Sequence, residues 1–129
     1  MAQIKIYGIR ESLLPIRQDL SDTIHACVVE ALQYPVEKRF HRFILMDRED
    51  MIFPKDRSEQ YTIIEIAMME GRSIEAKKKL IRLLFDRIHD SLGIPKNDIE
   101  VCIQESPPSN WGFRGATGDE ISLNYPVKI

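Results

Sequence analysis

The sequence predicts an α/β (α+β) fold that contains two copies of a β-α-β unit. The two halves match when one is shifted by sixty residues, and the coinciding pairs are Ile4 and Ile64, Ile6 and Ile66, Leu20 and Leu80, Leu32 and Leu92, and Pro35 and Pro95. Both halves also run in the same order, from an alternating apolar segment through an amphipathic stretch to a Leu-x-x-Pro stop and a second alternating segment. A repeat of this length corresponds to one supersecondary unit.

The first half, residues 1–46, is predicted to form strand, helix and strand. Residues 3–9 alternate in polarity as a strand does. Ser12 is expected to cap the helix that follows, and Pro15 suits a first helical turn because its missing N–H has no partner there. Helical spacing then relates the apolar residues Leu20, Ile24, Cys27, Val28, Ala31 and Leu32. We expect this helix to end at Tyr34-Pro35, and residues 40–46 to form the second strand.

A charged connecting loop, residues 47–60, joins the halves and carries one apolar segment, Met51-Ile52-Phe53. A long loop in a small domain is unusual unless it packs or functions, so this segment is expected to pack, with another subunit as one option.

The second half, residues 61–105, repeats the pattern more regularly. Residues 61–69 are predicted to form a strand, and Ser73 is expected to cap the second helix. This helix has the apolar face Leu80, Ile81, Leu84, Phe85 and Ile88. Gly93 and Pro95 should end it, and residues 99–103 alternate as a strand. The C-terminal tail, residues 106–129, opens with a glycine-rich stretch that we expect to be a flexible loop.

Two right-handed β-α-β crossovers place two helices on one face of a four-stranded mixed sheet, so residues 1–129 should form a single domain. The other sheet face is expected to be apolar and uncovered, which favours association into an oligomer. A ferredoxin-like β-α-β-β-α-β fold with an antiparallel sheet is the alternative. Near-neutral charge and the strong internal match argue against it.

Composition excludes several classes of function. The 129 residues include 18 basic and 20 acidic side chains, a net charge of −2, which provides no bulk positive field for nucleic acid. No apolar run approaches the roughly 20 residues that cross a bilayer. A secretory signal is absent from the first residues, and Cys27 and Cys102 fit buried, reduced thiols. We therefore expect a cytoplasmic protein without nucleic-acid or membrane partners.

Metal and nucleotide sites are not expected. His41 has no second His or Cys at metal-ligand spacing. The segment 114–118 has the glycine content of a phosphate-binding loop, but no Gly-Lys-Ser/Thr follows it. No metal ion and no cofactor are therefore predicted.

Five short motifs occur along the chain: the strand that opens at residue 2, His25-x-x-x-x-Glu30-Ala31-Leu32 before Pro35, Arg39-Phe40, Gly71-Arg72-Ser73 and Asn110-Trp111-Gly112-Phe113. With these motifs, nearly the whole chain resembles the tautomerase superfamily, the group of 4-oxalocrotonate tautomerase, macrophage migration inhibitory factor and malonate semialdehyde decarboxylase. The last three motifs are most similar to the decarboxylase branch. The resemblance implies a homotrimer with a central barrel of sheets and pockets at the subunit borders.

The resemblance also implies a catalytic N-terminal amine. Relatives use a proline that removal of Met1 exposes, whereas position 2 of this chain is alanine. After removal of Met1, Ala2 would carry a primary amine with a reference pKa of about 7.7–8.0, which burial lowers. This amine could take a proton from carbon or form a Schiff base.

Four further residues are substrate-binding candidates by resemblance. Arg72 would hold a substrate carboxylate, although a solvated arginine at a helix start is the alternative. Arg39 would contact substrate or form an intersubunit salt bridge. Trp111 and Phe113 would form the apolar wall that lowers the pKa of the amine, although the single tryptophan could equally anchor the core or an interface.

Two functions follow from these features. One is keto–enol tautomerisation of a small 2-oxo carboxylic acid with Ala2 as acid and base, in a homotrimer that needs no cofactor. The other is an inactive tautomerase-fold trimer that serves as a binding or structural module. Decarboxylation is not expected, because Glu70 and Lys38 stand where the decarboxylase has an arginine and its catalytic aspartate.

Overall fold

A computed structural model describes residues 2–129, and Met1 lies outside the described residues. The elements in chain order are β1 (Ala2–Ile9), α1 (Arg10–Leu13), α2 (Arg17–Leu32), β2 (His41–Met46), β3 (Thr62–Met69), α3 (Ile74–Leu92), β4 (Ile99–Ser106), β5 (Gly112–Phe113) and β6 (Ala116–Thr117). The two predicted β-α-β units are therefore β1-α2-β2 and β3-α3-β4.

The main sheet has the strand order β2-β1-β3-β4. Each β-α-β unit contributes a parallel pair, and the two units meet at β1 and β3, which run antiparallel. Ile4 lies opposite Ile66 and Ile6 lies opposite Ile64, so the internal repeat becomes an approximate two-fold relation at the sheet centre. The parallel outer pairs confirm the mixed sheet and exclude the wholly antiparallel ferredoxin-like arrangement.

The core lies between one sheet face and the two long helices, as predicted. Alternating residues of β1 and β3 point towards α2 and α3, whose apolar stripes are buried. The largest side chains that are almost completely buried include Ile6, Leu20, Ile24, Leu32, Ile64, Ile66, Leu80, Leu84 and Ile88. These residues come from both halves, so the two β-α-β units share one core.

The helix ends confirm most of the predicted signals. Ser73 caps α3 by accepting a hydrogen bond from the Ala76 N–H at 3.1 Å, and Gly93 ends this helix with φ 72°. Pro15 lies in a short 3₁₀ turn ahead of α2. The cap predicted at Ser12 is wrong, because the chain enters α1 directly after β1 and the Ser12 hydroxyl donates to the Glu59 carbonyl at 2.7 Å.

The connecting loop packs against its own sheet. Met51 is buried with Ile9 and Tyr61, and the ring of Phe53 lies 5.1 Å from that of Tyr61. Ile52, by contrast, is 95% exposed. The apolar segment is therefore a local cluster, and contact of Ile52 with another subunit stays a prediction.

The sheet face that points away from the helices carries charged and polar side chains, so the expectation that this uncovered face is apolar is wrong. Lys5 lies opposite Glu65 in the register and pairs with it at 3.7 Å, and Arg42 donates to the Gln3 side chain at 3.2 Å. Cys102 is exposed rather than buried. The alternation that turns isoleucines towards the helices turns these polar residues to the other side. Oligomerisation consequently stays a prediction.

The glycine-rich stretch is a tight hairpin rather than a flexible loop. β5 and β6 pair antiparallel around Arg114 and Gly115, which have φ values of 55° and 77°. Two consecutive positive φ values are typical of the type I′ turn that suits a two-residue hairpin. The guanidinium carbon of Arg114 lies 5.6 Å from the ring centroid of Phe113.

Residues 2–129 contain no helix that is long and apolar enough to cross a membrane. Within the same residues, no group of three His, Cys, Asp or Glu side chains is placed to hold a metal ion.

A half-buried histidine, His41, joins α2 to β2. The His41 Nδ1 lies 2.8 Å from the hydroxyl of Ser21, one turn into the helix. Burial lowers the pKa of His41 to about 4, and the neighbouring His25 and Arg39 act in the same direction. His41 is therefore neutral in the folded protein across the physiological range.

This histidine predicts a loss of stability in mild acid. The unfolded chain takes up a proton at His41 near pH 6.5 and the folded chain only near pH 4, so the free energy of unfolding should fall as the pH drops through this window. The expected loss is on the order of 2 kcal/mol. Urea unfolding of His41→Gln at pH 7 and pH 4.5 should show a smaller decrease than the wild type. The matched variant His89→Gln, on the exposed end of α3, should keep the wild-type decrease, and an equal decrease in all three proteins would contradict the assignment.

Candidate active site

The start of β1 is buried inside the fold. Ala2 is 3% exposed and lies opposite Met68 of β3. Its backbone nitrogen donates a hydrogen bond to the hydroxyl of Tyr34 at 3.2 Å. The nitrogen singled out from the sequence is therefore held in the interior by a protic side chain.

Tyr34 reaches this position because of how α2 ends. Gln33 adopts a left-handed conformation with φ 51°, and the Tyr34 N–H donates to the Val29 carbonyl at 3.3 Å. Pro35 then prevents the helix from continuing. The Tyr34 side chain is thereby directed into the interior, where it is 4% exposed.

A cavity of about 240 Å³ lies beside the Tyr34 ring. Its walls come from the α2–β2 connection, the β5–β6 hairpin and the C-terminal tail, and the lining residues are Tyr34, Lys38, Phe40, Phe113, Arg114, Leu123 and Tyr125. Neither Lys38 nor Arg114 takes part in an ion pair within residues 2–129. The cavity thus combines largely apolar walls with two cations that have no carboxylate partner, a combination that suits a small anion.

Tyr125 brings the C-terminal tail against this site. Its ring meets that of Tyr34 edge-on, with the centroids 4.9 Å apart, and the Lys38 ammonium lies 5.2 Å from the ring centroid of Tyr125. Burial and the neighbouring Tyr34 hydroxyl raise the pKa of Tyr125, so its phenol keeps its proton at neutral pH.

Arg72 is a buried cation with unused hydrogen-bonding capacity. It is 5% exposed, and its Nη1 donates to the Met69 carbonyl at 3.3 Å. Its Nε and Nη2 are buried and have no partner. Burial lowers the pKa of Arg72, while the nearby Tyr125 and Tyr34 act in the opposite direction. A buried guanidinium with two unpartnered nitrogen donors, Nε and Nη2, beside the tyrosine pair could bind a carboxylate.

The turn that carries Arg72 is covered by the C-terminal tail. Gly71 has φ 139°, and a Cβ there would lie 2.7 Å from the Val127 side chain. The Ser73 hydroxyl donates to the Ile129 carbonyl at 3.2 Å. Only glycine fits this combination of backbone conformation and close approach.

The two residues of the predicted aromatic wall have different positions. Phe113 lines the cavity. Trp111 is not among the lining residues and is half-buried near Met69 and Gly118, where its carbonyl accepts a hydrogen bond from the Gly118 N–H at 2.7 Å. The Trp111 indole N–H is buried without a partner. This placement favours a supporting role for Trp111 behind the cavity wall.

Arg39 lies apart from the Tyr34 cavity. It is exposed, and its guanidinium pairs with Asp22 of α2 at 2.5 Å and also approaches the Ser21 hydroxyl at 3.4 Å. The structure therefore brings Ala2 and Phe113 together around Tyr34, with Arg72 close by, and leaves Arg39 in an ion pair elsewhere.

Sequence reasoning missed Tyr34 and Tyr125 as site residues. The internal repeat could have indicated Tyr34, because the sixty-residue shift aligns this tyrosine with an apolar residue, Ile94. The same shift aligns Arg72 with Ser12. Both candidate residues thus break the repeat where the fold is otherwise symmetric. Tyr125 lies outside the repeat and offered no comparable signal.

Comparison with known proteins gives related sequences. A family model described as tautomerase enzyme matches residues 38–114. The probable tautomerase YusQ of Bacillus subtilis is 26% identical over 101 residues, which cover 74% of this chain and 80% of that protein. The 2-hydroxymuconate tautomerase of Comamonas testosteroni is 35% identical over 57 residues, 44% of this chain and 90% of that protein. Less than half of this chain thus spans nearly all of the latter relative.

Solved structures share the fold. The FG41 malonate semialdehyde decarboxylase inhibited by 3-bromopropiolate superposes with a TM-score of 0.81 at 24% identity, covering 94% of this chain and 98% of that one. Native fused 4-OT superposes with a TM-score of 0.80 at 18% identity, covering 92% and 98%. At these identities the likeness concerns the arrangement of strands and helices.

Proposed function

This chain belongs to the tautomerase family, and we propose that it catalyses keto–enol tautomerisation of a small 2-oxo carboxylic acid. The observation that carries the proposal is the contact between the Ala2 nitrogen and the Tyr34 hydroxyl at 3.2 Å, because Tyr34 also forms a wall of the cationic cavity. The names of the related proteins, which include probable tautomerases, support the reaction type.

The proposed acid and base is the amine of Ala2 after removal of Met1. An α-amine has a reference pKa of about 7.7–8.0, and burial disfavours its charged form. A substantial fraction of a buried amine would then be neutral near pH 7 and able to take a proton from the carbon next to a carbonyl group. The same amine, once protonated, would return the proton to the other end of the enol system.

Arg72 is the proposed binding group for the substrate carboxylate. Its Nε and Nη2 are buried without partners, so a carboxylate would satisfy donors that the protein leaves free. Lys38 and Arg114 line the cavity and add positive potential that would stabilise negative charge on the enolate. No acidic side chain lines this cavity among residues 2–129.

Apolar walls would limit water and substrate size. Phe40, Phe113 and Leu123 line a cavity of about 240 Å³, a volume below the range of about 300–1,000 Å³ that drug-sized ligands occupy. The proposed substrate is therefore a molecule of a few carbon atoms or a small aryl group. Trp111 would contribute indirectly, by holding the chain segment that contains the cavity-lining residue Phe113.

The homotrimer implied by the resemblance belongs to this proposal. Neighbouring copies would cover the uncovered sheet face, whose Lys5 and Glu65 could pair across an interface as well as within the sheet. Arg39 would then serve as a structural ion-pair residue rather than as a substrate contact, because Asp22 already engages its guanidinium.

A second candidate function is carboxylate binding without turnover. The observation that favours it is alanine at position 2, because a primary amine replaces the secondary amine of proline. The cavity and the free donors of Arg72 would serve a binding module equally well.

Turnover assays distinguish the two functions. Phenylpyruvate and 2-hydroxymuconate would be incubated with protein of known intact mass, with tautomerisation followed by enol absorbance and by deuterium uptake at the carbon next to the carbonyl. The tautomerase proposal expects turnover by protein that lacks Met1. Carboxylate binding with no deuterium uptake above the buffer rate would instead support the binding module.

A cavity-wall variant gives a matched test of the location. Phe113→Ala should lower kcat/KM by about tenfold, because it admits water next to the amine and removes an apolar contact with substrate. Phe53→Ala, in the Met51 cluster on the connecting loop, should leave kcat/KM within about twofold of the wild type. Equal effects of the two variants would argue against this cavity as the active site.

A further inference from the structure

The C-terminal tail touches both functional groups of the candidate site. At one end, Val127 lies against Gly71 and the Ile129 carbonyl accepts from Ser73, so the tail is fixed on the turn that holds Arg72. Two residues before Val127, the Tyr125 ring meets the Tyr34 ring edge-on at 4.9 Å. The tail therefore connects the proposed carboxylate binder to the residue that contacts the amine.

The ring contact controls where the Tyr34 hydroxyl lies. Tyr34 follows a helix end and is held by its backbone, but its ring orientation depends on what packs beside it. An edge-to-face arrangement at 64° is a preferred aromatic geometry and resists rotation of either ring. With the ring fixed, the hydroxyl stays 3.2 Å from the Ala2 nitrogen.

We propose that Tyr125 is a positioning residue that acts through Tyr34 to hold the Ala2 nitrogen at the active site. This inference rests on the proposed function, since it assigns the tail a part in the same reaction. The phenol of Tyr125 touches neither Ala2 nor the reacting atoms in this scheme. Its contribution is the edge-on contact of its ring with Tyr34, together with the interaction of its hydroxyl with the Tyr34 hydroxyl.

The experiment follows the Ala2 nitrogen directly and does not depend on turnover. Protein labelled with ¹⁵N-alanine reports this atom by NMR, either as an α-amine that titrates or, where Met1 is retained, as a peptide N–H with a chemical shift and an exchange rate. The variants are Tyr125→Leu, Tyr125→Phe, Tyr34→Phe and the double variant Tyr125→Leu/Tyr34→Phe. Tyr7→Phe, on the uncovered sheet face, is the matched control.

Removal of the Tyr34 hydroxyl and removal of the Tyr125 ring are expected to change the signal of the Ala2 nitrogen in the same way. The nitrogen donates to the Tyr34 hydroxyl, so losing this partner disfavours the charged amine, and Tyr34→Phe should lower its pKa by about half a unit. Tyr125→Leu should reproduce that shift, and the double variant should shift no further. For a retained Met1, the variants should show equal changes in ¹⁵N shift and faster exchange of the Ala2 N–H.

Two controls separate positioning from general stability. Tyr125→Phe keeps the ring and should shift the pKa of the amine less than Tyr125→Leu does, whereas Tyr7→Phe should behave as the wild type. A wild-type signal in Tyr125→Leu, or shifts that add in the double variant, would overturn the positioning role even in an active enzyme. If the predicted shifts occur in a protein that turns over no 2-oxo acid, the proposed function fails and the positioning role stands.

Discussion

Acetylation of the N-terminal amine is expected to reduce kcat/KM for a 2-oxo acid by about 10²–10⁴-fold, the usual contribution of a positioned acid–base group. The reason is that the nitrogen of the buried residue Ala2 is the proposed base, and its side-chain partner is the hydroxyl of Tyr34. An acetylated nitrogen has no lone pair available for a proton. The measurement is steady-state turnover, with intact mass to quantify the modified fraction.

Reversibility provides the control for this prediction. One additional residue ahead of Ala2 should abolish turnover as acetylation does, and its removal by a protease should restore the original rate. Thermal unfolding of each form establishes whether the fold survives the change. Undiminished turnover by fully acetylated protein, or by protein shown to retain Met1, would exclude the amine as the base.

Replacement of Arg72 by methionine is expected to separate activity from stability. A carboxylate bound by a buried guanidinium loses its partner in the variant, so kcat/KM for 2-oxo acids should fall by about 10²-fold or more. The free energy of unfolding should change by no more than about 1 kcal/mol, because the variant removes two buried donors that the fold leaves unsatisfied. Kinetics and urea unfolding of one preparation test both statements.

The matched control is Arg82→Met on the exposed side of α3, which should preserve both activity and stability. Arg72→Lys should recover only part of the activity, because an ammonium cannot make the two parallel bonds of a guanidinium. A large loss of stability in Arg72→Met together with unchanged turnover would indicate that Arg72 is a structural residue.

Local patterns explain why much of the fold was predictable. The strands and the two long helices follow from polarity that alternates with a period of two or repeats with helical spacing, and such periods depend only on neighbours in the chain. The caps at Ser73 and Gly93 are similarly local, since their partners lie within four residues. Ser12 failed as a cap because its hydroxyl binds Glu59, a residue far along the chain.

The candidate site was predictable only in part, for the same reason. Ala2, Arg72 and Phe113 were reached through resemblance in short motifs; in the structure Phe113 lines the cavity and Ala2 contacts Tyr34, whereas Arg72 lies near the tyrosines but is not a lining residue. Arg39 carries an equally recognisable motif but pairs with Asp22, which the motif could not show.

Periodicity and an internal repeat were enough to establish two β-α-β units, a mixed sheet and helices on one face, because each unit must bury an apolar stripe against the other. Contacts between distant residues required the folded chain. Tyr125 of the C-terminal tail contacts Tyr34, which lies ninety-one residues earlier in the sequence. Arg72 is buried by residues from other parts of the chain, and no local sequence pattern indicates this burial. The periodicity of polar and apolar residues indicates which face of a helix or strand is buried. The residues that pack against that face depend on the tertiary fold of the whole chain.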